Sequence, residues 1–150
     1  MEWTSLLSTT MGALIALAAS ALAERRRWLR ESEQRTRDDR RAAYVAFLNA
    51  TAEASEILIN IARGHDRDET ALARAGTVLR DSNVLPRRLE LSLVADDQVV
   101  EQATLTVTLL RTYRDTVARG LTFDTEEFQG ARTAFNDQRD RLTQRMRGTL

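Results

Sequence analysis

From Trp3 to Ala23 the chain carries no charged side chain. As a helix this run of 21 residues spans roughly 32 Å at about 1.5 Å per residue, against a hydrocarbon core of about 30 Å. Trp3 and Trp28 bracket it, about 37 Å apart along such a helix, close to the separation of the two interfacial belts. Arg25, Arg26, Arg27 and Arg30 lie on one side only, with Met1 and Glu2 on the other. The positive-inside rule then puts the amino terminus outside and everything after Glu24 in the cytoplasm. The run predicts a single-pass anchor over 1–24 in the inner, or plasma, membrane. Trp3, Arg25, Arg26, Arg27, Trp28 and Arg30 are its expected interface residues.

Two other readings compete. Ala21-Leu22-Ala23 has the small-x-small form of a signal-peptidase site, and cleavage there would release a secreted helical domain. A secretory signal, however, carries its positive charge before the apolar region, and here only Glu2 precedes it. Ser5, Ser8, Thr9 and Thr10 weaken the hydrophobicity of the span, so a buried helix of a soluble protein is the other competitor. The charge order favours the anchor. Within it, Gly12, Ala16 and Ser20 share one helix face, a small-residue spacing that permits helix dimerisation in lipid. Alanine-rich composition alone also produces such triplets.

Residues 25–43 read as an arginine-rich helical stalk. Glu31/Arg35 and Glu33/Arg37 stand acid before base at i,i+4, the favourable order on a helix. From Tyr44 the pattern changes. Tyr44, Phe47, Leu48, Thr51, Ala54, Leu58 and Ile61 recur at core-facing helical spacing and stop at Gly64, a natural C-terminal cap. A second helix is expected from about Asp68, with Leu72, Ala75, Leu79, Leu89 and Leu93 on its buried side. Pro86, the one proline, either kinks that helix or starts a new one in its first turn. The helical period after it favours a kink. Asp96 and Asp97 suit the start of a third helix, carrying Val99, Val100, Ala103, Val107, Leu110 and Val117. Its dense β-branched residues leave a strand as the weaker alternative. Asp124 and Glu127 resemble a capping box ahead of a fourth helix with Phe128, Ala131, Phe135, Leu142 and Met146 inward. Short turns between four helices predict an all-α, antiparallel up-down-up-down bundle over 44–150.

Nothing in the pattern recommends catalysis, a cofactor or a metal. The chain has no cysteine and equal numbers of acidic and basic residues, 22 each, which argues against disulfides, thiol chemistry and a basic nucleic-acid footprint. His65 is the single histidine, in "GHDRDE", and reads as a solvated turn rather than a metal site, which needs three or four rigid ligands. Asp38/Asp39 and Asp96/Asp97 are sequence neighbours that do not converge on a cleft. No phosphate loop, serine elbow or zinc-protease helix is present.

The uncharged span, the arginine-rich stalk, the "YVAFL" start of the first packed helix and the "LVADDQVVEQA" start of the third resemble small single-pass membrane proteins of unknown function from high-GC Gram-positive bacteria. That resemblance implies no activity and no site residue. The reading is a membrane-anchored, non-enzymatic interaction or scaffold module. Its expected partners are the bilayer and an unidentified protein or its own copy. A small-molecule-sensing bundle with a pocket between helices near Pro86 is the alternative. The turns at Gly64 and Gly120 break the long rod that a lysis spanin or a rotary-ATPase stator stalk needs.

Overall fold

The computed structural model describes residues 34–64 and 69–150, and every regular element among them is a helix. Helix α1 spans Gln34–Ala62. It is followed by α2 (Glu69–Asp81), α3 (Val84–Ser92), α4 (Asp97–Ala118) and α5 (Glu126–Arg147). The expected membrane span lies outside the described residues, as do 65–68 with His65. A compact unit runs from Asp39 to Leu150.

The core stripes fall where the helical period puts them. Tyr44, Phe47, Ala54, Leu58 and Ile61 of α1 are buried against Val99, Ala103, Val107, Leu110 and Val117 of α4 and Phe128, Phe135, Leu142 and Met146 of α5. Among the described residues α1 is the helix long and apolar enough to cross a membrane, and half of its apolar window is buried inside the protein.

Directions follow from the cross-links. The Phe123 amide donates to Ala62 O at 3.1 Å, while the Tyr44 hydroxyl meets Thr149 Oγ1 at 3.0 Å. α1 and α5 are therefore antiparallel. Buried Gln138 of α5 reaches Gln102 Oε1 at 2.7 Å, and Arg119 pairs with Glu127 beside the turn, so α4 and α5 are antiparallel as well. Arg88 Nη1 to Thr104 Oγ1, 3.3 Å, sets α3 against α4. The bundle is up-down-up-down, with α2 and α3 sharing its second leg.

The helix ends show local chemistry at work. Gly64 and Gly120 end α1 and α4 with φ of 84° and 83°, a region open to glycine at little cost. At Gly120 the Leu121 amide reaches Thr116 O at 3.2 Å and the Gly120 amide reaches Val117 O at 2.9 Å, the paired bonds of a Schellman motif. Asp96 caps α4 by accepting from the Val99 amide at 2.9 Å. The α5 cap is Thr125, which accepts from Phe128 N at 3.4 Å, rather than the expected Asp124. Glu127 is then free to pair with Arg119. The β-branched run of α4 is helical, and its threonine hydroxyls are satisfied on the preceding turn, Thr104 to Val100 O at 2.8 Å and Thr108 to Thr104 O at 3.1 Å.

A larger expectation is overturned at Pro86. α2 and α3 are two helices, not one kinked helix. α2 closes with Ser82 N to Val78 O, 2.9 Å, and Asn83 N to Arg80 O, 3.0 Å. Asn83 then adopts φ 56°, ψ 26°, and α3 begins with Pro86 in its first turn. Leu89 and Leu93 are exposed, not buried. An unbroken helix continuing the phase of Val78, Leu79 and Ser82 would have turned both inward. The break moves the buried positions to Val84 and Leu91, two residues or about 200° of helix rotation. The leucines end up on the far side.

Candidate functional site

The α2–α3 junction at Asn83 adjoins two distinct features of this surface. The first is a stripe. Leu85, Leu89 and Leu93 stand four residues apart and are 39, 61 and 78% exposed. At about 100° per residue they form one i±4n ridge along α3. Its support is rigid: Val84 and Leu91 are fully buried beneath it, and Arg40 Nε donates to the Val94 carbonyl at 3.0 Å just past its end. Arg87 and Glu90 flank the ridge and pair at 2.7 Å.

The second is a cleft of about 330 Å³ between α1 and the α2–α3 junction, lined by Ala46, Asn49, Ala50 and Glu53 from α1 and by Ser82, Asn83 and Arg87. The spacing 46, 49, 50, 53 is a single helix face. Ser82 is 3% exposed, and its hydroxyl has no hydrogen-bond partner. Close by, the Thr77 hydroxyl donates to Asp81 at 2.6 Å. That bond holds the Asp81 carboxyl below its usual range, with Arg80 adding to it against a desolvation that acts the other way.

A third cluster, of packing rather than contact character, closes the other end. Phe123, Phe128, Tyr113 and Phe135 form an aromatic column with centroid spacings of 5.5, 5.3 and 6.1 Å. Arg63 and Arg132 sit over Phe123 at 4.8 and 5.5 Å. Burial pushes the Tyr113 phenol up to about 12, against the opposing pull of Arg132, Ser55 and Arg63, with Glu56 reinforcing the rise. Ser55 is near enough to be felt, yet its geometry makes no hydrogen bond with the phenol, whose oxygen is unpartnered.

Trp3, Gly12, Ala16, Ser20, Arg25, Arg26, Arg27, Trp28 and Arg30 all lie outside the described residues. Asp96 is a cap, Asp97 follows it exposed in the first turn of α4, and Asp38 and Asp39 are exposed on α1. Among the described residues no group of three or more His, Cys, Asp or Glu side chains is placed to hold a metal ion. The sequence reading missed the leucine stripe because it followed one helical phase through Ser82-Asn83. The signal it passed over was Asn83 itself, a residue that tolerates the left-handed region, three positions before a proline.

Fold and surface together define an all-α bundle with one helix that offers an apolar ridge to solvent. The chain matches no known family model, no curated protein and no solved structure.

Proposed function

We propose that this protein is a non-enzymatic, single-pass membrane module. Its bundle faces the cytoplasm and docks there on a second copy of itself through α3. The observation that carries the reading is the exposed Leu85–Leu89–Leu93 ridge. Apolar side chains gathered on one small helix mark a contact surface, whereas singly scattered ones do not.

A second copy is the occupant because the ridge complements itself. A two-fold axis through Leu89 sets Leu85 opposite Leu93 and Arg88 opposite Glu90, twice over. Such an isologous patch uses the same residues on both subunits, and two i±4n ridges interdigitate at about −50°. A nine-residue helix buries too little to hold two free proteins together. Anchoring both copies in one membrane raises their effective concentration and makes a small patch sufficient. The uncharged Trp3–Ala23 span with its one-sided arginines supports the anchor and its orientation. Gly12, Ala16 and Ser20 supply a second contact within the lipid.

The test has two parts. Protein purified from membranes should show an intact mass that includes residues 1–23. In a bacterial two-hybrid assay on the full chain, Leu89→Arg should cut self-association strongly, while Val45→Arg, at an exposed position on α1, should not. A mature chain beginning at Glu24 and recovered outside the membrane would contradict the anchor. Equal signals from the two variants would contradict the docking face. A sensing role is the second reading, favoured by the cleft beneath Asn83 near Pro86.

A further inference from the structure

We infer that the cleft between α1 and the α2–α3 junction binds a small zwitterion of the α-amino-acid class. Its volume of about 330 Å³ stands at the small end of ligand sites, which run from about 300 to 1,000 Å³. Opposite charges face the void from its two sides. Glu53 on α1 makes no hydrogen bond or ion pair with any described residue. Arg87 at the start of α3 spends Nη1 on Glu90 and keeps its other N–H donors. The two line one cleft without pairing with each other, and a molecule carrying both an ammonium and a carboxylate fits between them.

On the Arg87 side the cleft is also lined by Ser82 and Asn83, just ahead of α3. Asn83 stands at its N-cap but its side chain makes no capping bond. The Ser82 hydroxyl, buried and unpartnered at the same junction, is an independent polar group in want of a partner. A buried hydroxyl without one is destabilising, a cost that an arriving carboxylate can offset after a turn about χ1. Asn83 is the one non-glycine residue with positive φ among those described, and such conformations gather at ligand clamps. Ala46 and Ala50 present only methyl groups, leaving room for a short side chain.

The inference goes beyond the docking reading and is independent of it. The experiment is a thermal-shift series on the full-length protein. Each proteinogenic L-α-amino acid is added at 10 mM, with acetate and methylammonium as half-ligand controls. At least one amino acid should raise the melting midpoint by about 3 °C or more through selective binding to the folded state. Acetate and methylammonium should each give less than a third of that shift. Glu53→Gln and Arg87→Gln should each abolish it while leaving the unliganded midpoint nearly unchanged, because both side chains are exposed. Ser82→Ala should weaken the shift yet raise the unliganded midpoint. Leu89→Arg should leave the shift intact. No shift from any amino acid overturns the inference. So does an acetate shift as large as the amino acid's that survives Glu53→Gln, which would mean an anion site only.

Discussion

Arg40 Nε donates to the Val94 carbonyl at 3.0 Å, and the same guanidinium reaches the Thr149 carbonyl through Nη1 at 3.1 Å. One side chain on α1 thus ties the α3–α4 corner and the C-terminal turn to the start of the bundle. By sequence alone it belongs to the arginine-rich stalk over 25–43. A charged donor bonded to two carbonyls contributes more than a neutral one, about 1.5–3 kcal/mol. Arg40→Ala should lower the unfolding free energy by about 2 kcal/mol in urea titration with an unchanged slope. Arg40→Lys should recover only part, since an ammonium cannot span both acceptors with a fixed fork. A midpoint unaffected by Arg40→Ala would place the residue back in solvent.

Asn83 sets the phase of α3. Asparagine tolerates φ 56°, glycine more easily still, and a β-branched residue poorly. Asn83→Gly should leave stability within about 0.5 kcal/mol, whereas Asn83→Val should cost about 1–2 kcal/mol. Chemical denaturation of the three proteins side by side measures this. The valine variant should also lose self-association, because a continuous α2–α3 helix turns Leu89 inward.

Tyr113 separates two contributions in the core. Its ring is fully buried between Phe128 and Phe135, while its hydroxyl has no partner. Tyr113→Phe should therefore leave stability at pH 7 unchanged or raise it by up to about 1 kcal/mol. Burial favours the neutral phenol, so the folded protein holds this proton to higher pH than the unfolded chain does. Stability is full below pH 10, the ordinary value, and falls as pH rises through about 12. The phenylalanine variant should lack that alkaline loss. Phe135→Ala removes a fully buried ring and should cost about 3–5 kcal/mol. Denaturant midpoints at pH 7 and 11 distinguish the three proteins.

How far the sequence spoke is visible in particular residues. The stripes of α1, α4 and α5 were legible because each helix keeps one phase from cap to cap, so Tyr44 to Ile61, Val99 to Val117 and Phe128 to Met146 could be read off period alone. Leu89 and Leu93 were misassigned because two residues at Ser82-Asn83 rotate everything after them. A periodicity count does not register a rotation made by backbone dihedrals. Gln138 and Arg40 were invisible for another reason: a polar side chain becomes a structural tie only when a partner far along the chain arrives. The charges of the cleft are not legible in the sequence either. Glu53 and Arg87 are brought to it by the packing of α1 against the junction.

The docking of α3 on a second copy is tested most directly by single-cysteine cross-linking, because the chain has no cysteine of its own. Full-length protein carrying Leu89→Cys is oxidised in the membranes of expressing cells, with Thr70→Cys, at an exposed position on α2, as the reference. The two-fold axis through Leu89 predicts that Leu89→Cys forms a disulfide-linked dimer rapidly and nearly to completion, and that Thr70→Cys stays monomeric. A Leu89→Cys chain that remains monomeric, or that cross-links no faster than Thr70→Cys, would contradict the account.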